Sequence, residues 1–236
     1  MVRIVAIGGL VLTIASGVIS TFELFNGTFL VGALVSYGLA ASIIVMRIDA
    51  FHPYSRFGLA NTVTLARLLF VCLFAGLVLE LVVNRIAMPA ALAWFFCALA
   101  ILERLLDGLD GYVARKLSME SPFGARFDME VDALQILLLS FAALMLDKAG
   151  AWILVGGALR YVFLGAGMVF PPISSPLPPS QRRKIIAVFQ GVTLTVLLAP
   201  AVTPPFSTLA AAVALALLIY SFVTDTLWTL RAQTRP

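Results

Sequence analysis

Residues 185–224, IIAVFQGVTLTVLLAPAVTPPFSTLAAAVALALLIYSFVT, run for 40 positions without a charged side chain. One membrane-crossing helix needs about 20 apolar residues, so this stretch is long enough for two. Pro200, Pro204 and Pro205 fall near its middle, where a proline removes an amide donor and breaks a helix. The stretch therefore reads as two spans joined by a proline turn. A strand reading fails because the apolar runs are continuous and lack the period-two alternation of a membrane barrel.

Outward from there, the same pattern recurs. Residues 4–22 and 24–46 are uncharged, with Glu23 and Asn26-Gly27 between them. The first run is long for a signal peptide and a second follows at once, so both read as spans. A polar segment, Arg47–Arg56, leads to a third span from Phe57 to Leu81, which carries Asn61, Thr64 and Arg67. A fourth covers residues 86–106. Ser121-Pro122 reads as a helix start, Ser as N-cap and Pro at the first helical position, and opens a fifth span to Leu146. The sixth, 151–170, is interrupted by Arg160. A proline-rich loop from Pro171 to Pro179 then ends in Arg182, Arg183 and Lys184. The expectation is an all-α, polytopic membrane helix bundle with about eight transmembrane helices.

Composition agrees. Hydrophobic residues are 61% of the 236 and charged residues 12%, about half the roughly 25% of soluble domains. Mean hydropathy is +1.05. A soluble globular domain, a disordered chain and a secreted disulfide scaffold are excluded, and no soluble catalytic domain fits beside the spans. Cys72 and Cys97 lie inside apolar runs and read as small core residues. With both termini cytoplasmic, twelve of the Lys and Arg residues fall on that side, against Arg85 and Lys148 opposite. This is a positive-inside bias. The net charge of +4 thus reflects topology, and no nucleic-acid partner is expected. The expected location is a multi-pass place in the inner membrane, if the cell is bacterial.

Four of the seven aspartates fall within 26 residues: Asp107, Asp110, Asp128 and Asp132. Residues three or four apart share a helix face, so each pair lies on one face, at the end of the fourth span and the start of the fifth. A short turn would make those helices antiparallel neighbours and bring the pairs together. Converging carboxylates need a counter-charge. Mg²⁺ or Mn²⁺ supplies it through oxygen ligands and substrate phosphates, and two such ions can clamp a transferring phosphoryl group. Gly108, Gly111, Ala114 and Gly124 leave room for close approach, and Arg115 can neutralise a diphosphate.

The pattern Asp107-x2-Asp110-Gly111-x2-Ala114-Arg115-x8-Gly124-x3-Asp128-x3-Asp132 resembles, position for position, the signature of the CDP-alcohol phosphatidyltransferase family. Asn61-x2-Thr64-x2-Arg67 is similar to the polar pattern that members carry one helix upstream. The resemblance implies a six-helix transferase core, residues 51–236, with residues 1–50 as two additional N-terminal helices. It implies a membrane enzyme, usually a homodimer, that moves a phosphatidyl group from CDP-diacylglycerol to an alcohol acceptor and releases CMP. Asp107, Asp110 and Asp128, with Asp132 beside them, would hold two Mg²⁺ or Mn²⁺ ions. Asp132 would also deprotonate the acceptor. Asn61, Thr64, Gly111, Ala114, Arg115 and Gly124 would hold the CDP part.

For the acceptor, the candidates are Arg67, Arg126, Arg160, Arg182, Arg183 and Lys184. The basic run stands where relatives carry a phosphate-binding patch, but anchoring to anionic lipid explains it equally. Arg67 and Arg160 either hold phosphate or pair with Glu80 or a backbone carbonyl. Glu103, four residues before Asp107, reads as a partner of Arg104 or as an acid behind the cluster. A different class, a transporter of divalent cations or organic anions, would also use carboxylates in a bundle. The clustering of the acids at one end and the lack of paired broken helices in two halves weigh against it.

Overall fold

The computed structural model describes residues 2–21, 25–51, 57–116, 121–170, 178 and 180–233, with side chains except at 47–51, 109–116, 232 and 233. Among the described residues there are eight α-helices and no strand. They are α1 (Val2–Ile19), α2 (Gly27–Phe51), α3 (Leu59–Asn84), α4 (Ala90–Lys116), α5 (Pro122–Met145), α6 (Leu154–Val169, preceded by a 3₁₀ turn at Ala151–Ile153), α7 (Gln181–Leu197) and α8 (Phe206–Gln233). In lipid every backbone polar group must be satisfied within the segment, which is why the apolar runs become helices. The chain is a polytopic helical membrane protein. Five helices, α1, α2, α3, α6 with its 3₁₀ turn, and α8, are long and apolar enough to cross a membrane. The described stretches of α4 and α5 hold the charges of the motif, and α7 is short and opens on Arg182-Arg183-Lys184.

Helix ends follow the sequence signals where a side chain sets them. Ser121 Oγ accepts a hydrogen bond from the Gly124 amide at 3.0 Å, the N-cap expected of Ser121-Pro122, which contributes about 1 kcal/mol. Elsewhere helices outrun the apolar segments. α4 continues to Lys116 and α8 to Gln233, because polar residues at a membrane surface extend a helix already paid for by its buried turns. The polar segment 52–56, the turn 117–120 and most of the proline-rich loop lie outside the described residues.

The chain forms two compact units, residues 1–138 and 139–236. In the first, α2 lies against α3 at a close crossing. A Cβ on Gly76 would stand 2.6 Å from the Phe29 carbonyl oxygen, and one on Gly32 would stand 3.0 Å from Gly76 Cα. Small residues permit this approach, the usual device where lipid offers helices no hydrophobic drive to associate. Phe25, Phe29, Phe74 and Phe96 pack beside it, with ring centroids 4.6–6.4 Å apart. Glu80, wholly buried on α3, accepts from the Asn26 amide at 3.1 Å and from Asn84 Nδ2 at 2.7 Å. It thereby ties the turn before α2 to the far end of α3.

In the second unit, the connection after α5 is fastened by Lys148. Its Nζ donates to the carbonyls of Ala199 and Val202 at 3.1 and 2.7 Å. Those carbonyls follow the C-terminus of α7, where a cation is favoured by the helix dipole. Ser207 Oγ donates in turn to the Lys148 carbonyl at 2.6 Å. Burial lowers the Lys148 pKa below its ordinary value. Lys148 was counted above as an outward loop charge. Its structural role lay in contacts about fifty residues away.

Candidate active site

Three helices of the first unit converge through one side chain. Asn61, Thr64 and Arg67 follow one another at three-residue spacing along α3, and all three are buried. The Arg67 guanidinium is wholly buried, and its nitrogens reach acids from both α4 and α5. Nε donates to Glu103 Oε1 at 3.1 Å, and Nη2 lies 2.9 Å from Asp107 Oδ1. Nη1 is hydrogen-bonded to Asp128, and Nη2 also to Asp132. A rigid, five-donor fork suits this task, and a lysine could not cover it.

Arg67 is therefore the hub of the acids. Its partner is Glu103 where Glu80 had been one of the alternatives. Arg104 lies beside them, with Nε 3.0 Å from Glu103 Oε2, Nη1 3.7 Å from Asp107 and Nη2 3.8 Å from Asp132. Glu103 thus serves both readings at once, pairing with Arg104 while standing behind the cluster.

One carboxylate oxygen from each of Asp107, Asp128 and Asp132 lies within 4.8 Å of the others. Their side chains are 26%, 39% and 34% exposed, so the acids open outward while Arg67 closes the inner side. Four carboxylates face two guanidiniums, which leaves the cluster anionic. Hard, converging, partly hydrated oxygen donors with surplus negative charge are the set that Mg²⁺ or Mn²⁺ takes. The residues fit a divalent ion, and Asp107, Asp128 and Asp132 are the described ones that would hold it.

The glycine of the motif has a visible reason. A Cβ on Gly124 would lie 2.8 Å from Asn61 Oδ1 and 3.2 Å from Ser121 Oγ. The Asn61 amide is fixed by donating to the Phe57 carbonyl at 2.6 Å, so it has little freedom to retreat. Thr64 Oγ1 donates to the Ala60 carbonyl at 3.1 Å. Gly108, by contrast, faces open space. Asp110, Gly111, Ala114 and Arg115 fall on the helical backbone of α4, while their side chains lie outside the described ones.

The acceptor candidates separate. Arg126 is exposed on α5, two residues from Asp128 and hence on another face. In the second unit Arg160 is half-buried on α6. Arg182 donates to Asp225 at 2.6 Å and to the Ser221 carbonyl at 3.1 Å, and stands over the Tyr220 ring. Arg183 is 3.6 Å from the same Asp225 and also donates to the Pro178 carbonyl. Both arginines clamp the start of α7 to α8. Lys184 is exposed. Arg104, next to Asp132, is the member of the site that the acceptor search overlooked, though its place three residues before Asp107 was available as a signal.

Comparison with known proteins gives a family for the chain. The family model described as CDP-alcohol phosphatidyltransferase matches residues 57–226, a span that holds α3 to α7, most of α8 and every aspartate of the motif. The chain is 38% identical over 91 residues to "Inner membrane protein YnjF" of Escherichia coli (strain K12), a match covering 37% of this chain and 43% of that relative. The chain thus spans less than half the length of that protein. No solved structure matches significantly. On the family match, which takes in well over half its length, the chain belongs to the CDP-alcohol phosphatidyltransferase family.

Proposed function

We propose that the protein is a multi-pass membrane transferase that moves a phosphatidyl group from CDP-diacylglycerol to an alcohol acceptor and releases CMP. The observation that carries this reading is the gathering of Asp107, Asp128 and Asp132 within 4.8 Å around the buried Arg67. Bound divalent ions, two by the resemblance, would neutralise the diphosphate of the donor. Asp107, Asp110 and Asp128 are assigned to them, with Asp132 at their edge. Asn61, Thr64, Gly111, Ala114, Arg115 and Gly124 are assigned to the CDP part.

The chain's own groups then act in order. Arg67 holds the α4 and α5 acids in register, so that the donor meets a preorganised set and no reorganisation is needed during transfer. A carboxylate oxygen of Asp132 takes the proton of the acceptor hydroxyl. The acceptor oxygen bonds to the lipid phosphorus, the bridging P–O bond breaks, and its electron pair leaves with CMP. Lipid substrates require a site at headgroup depth, and α4 and α5 carry the acids near the ends where apolar sequence gives way to polar. The positive-inside charge distribution supports a cytoplasmic location for this side and both termini, and the family resemblance supports a homodimer.

The test is direct. Purified protein in lipid nanodiscs is given CDP-diacylglycerol, Mn²⁺ and a panel of alcohols, and CMP and the lipid product are followed by mass. CMP release that depends on the acceptor supports transfer. Its absence with every alcohol, together with flux of cations or organic anions across vesicles, would favour the transporter.

A further inference from the structure

Resting on the transferase reading, we infer that Arg104 is the acceptor-specificity residue of this site, and that the acceptor is a polyol or its phosphate with a second oxygen next to the reacting hydroxyl. The geometry starts with an unused donor. Arg104 Nε is spent on Glu103 at 3.0 Å, yet Nη2, buried beside Asp132, has no hydrogen-bond partner among the described residues. Asp132 Oδ1 stands 3.8 Å from it, beyond hydrogen-bond range. A buried guanidinium nitrogen left so is costly, and it calls for a ligand or water.

A second unused group lies on the helix that carries Asp132. Gln135, wholly buried, lies three residues after Asp132 on the α5 face that carries Asp128 and Asp132. Neither its amide oxygen nor its nitrogen is hydrogen-bonded among the described residues. Gln135 thus lies one turn beyond Asp132 and Arg104 one turn before Asp107, both on the membrane-ward side of the acids. The Asp132 side chain is 34% exposed, so a ligand meeting that carboxylate arrives beside Arg104.

The spacing selects the ligand. An alcohol whose hydroxyl bonds Asp132 at about 2.7 Å can set the oxygen on its neighbouring carbon against Nη2, because 3.8 Å separates the two protein atoms. A choline-like acceptor has no oxygen on the neighbouring carbon, so it would leave Nη2 without a partner. Arg182 and Arg183 already have Asp225 as their anion, whereas Nη2 of Arg104 has capacity to spare.

The experiment compares glycerol, glycerol 3-phosphate and choline as acceptors in the nanodisc assay, for the intact chain and for Arg104→Gln and Arg104→Lys. The intact chain should transfer to glycerol or its phosphate and not to choline, and the better of the two arms tells which oxygen group Nη2 takes. Arg104→Gln should raise the acceptor KM tenfold or more without weakening donor or Mn²⁺ binding. Arg104→Lys keeps the charge without the fork and should fall between. Should Arg104→Gln fail to fold, as judged by Mn²⁺ binding, the Lys variant decides alone. Preference for choline, an unchanged acceptor KM, or equal loss of donor and acceptor affinity would each overturn the inference while leaving transfer intact. No CMP release from the intact chain with any alcohol would instead bring down the transferase reading beneath it.

Discussion

Gly124 and Asn61 stand so close that a methyl group on the glycine would lie 2.8 Å from the asparagine Oδ1. The glycine is the point where the start of α5 passes α3. Gly124→Ala should therefore push α5 outward and carry Asp128 away from Arg67. The expected result is a turnover loss of tenfold or more with helix content retained, and a melting temperature lowered by a few degrees, the scale of an overpacked contact costing about 1–3 kcal/mol. Gly108→Ala, which meets open space, serves as the control and should leave the melting temperature unchanged. Equal melting temperatures for both variants would show that the α3–α5 contact yields freely.

Arg67 answers four carboxylates, so its removal leaves a buried, repelling set. Arg67→Ala should destabilise the protein by about 3–5 kcal/mol, as expected when one partner of a buried charge network is lost. Millimolar Mn²⁺ should restore part of that loss, because the cation replaces the missing positive charge among Asp107, Asp128 and Asp132. Melting curves with EDTA and with Mn²⁺ measure it, and a metal-independent loss would argue that these acids hold no cation.

The aspartates should divide by role. Asp107→Asn and Asp128→Asn should weaken Mn²⁺ and donor binding together, because an amide takes away charge and a strong ligand. Asp132→Asn should keep most of both while turnover falls by about 10²–10⁴, the scale of a lost general base. Metal titration and single-turnover kinetics separate the two. If Asp132→Asn loses metal as badly as Asp107→Asn, Asp132 is a ligand and the base lies elsewhere.

Lys148 offers a pH test away from the site. Its folded pKa is lowered by burial, so between that value and the ordinary one near 10.4 the unfolded chain binds more protons. Stability attributable to Lys148 therefore rises with pH across that window. Lys148→Met should abolish the rise. At neutral pH it should change the melting temperature through the loss of the bonds to Ala199 and Val202, and thermal scans from pH 7 to 10.5 resolve both effects.

For topology, cysteines at Asn26 and Thr203 should label from the non-cytoplasmic face, and those at Gln181 and Lys184 from the cytoplasm. Cys72 and Cys97 are buried and should stay silent. Label reaching Gln181 and Thr203 from one side would remove α7 as a crossing.

Helix positions were legible because lipid leaves an uncharged run of about 20 residues one structural outcome. The start of α5 was legible because Ser121 and Pro122 act within their own turn. The pairing inside the site was not. Whether Arg67 met Glu80 or Glu103 depends on how α3 faces its neighbours, and Glu103 is 36 residues away in the chain. The same limit hid the Arg182–Asp225 clamp, whose partners are 43 residues apart, and left Arg104 as a mere counter-charge. Spacing within a helix reports which residues share a face, and says nothing of what that face meets.

The Glu80 anchorage has a consequence for the two helices ahead of the family core. They are the other half of a polar contact that α3 cannot complete. A shortened chain starting at Phe57 would keep every aspartate of the motif, yet it would strip Gly76 of its contact with Phe29 and turn it toward lipid. It would also leave a carboxylate in the bilayer with Asn84 as its remaining described donor, at the opposite end of the helix that carries Arg67. A charge stranded there would draw that end toward water and shift α3 along its own axis. On that account the N-terminal pair would act as the depth gauge of the active site, setting how far Arg67 sits below the membrane surface.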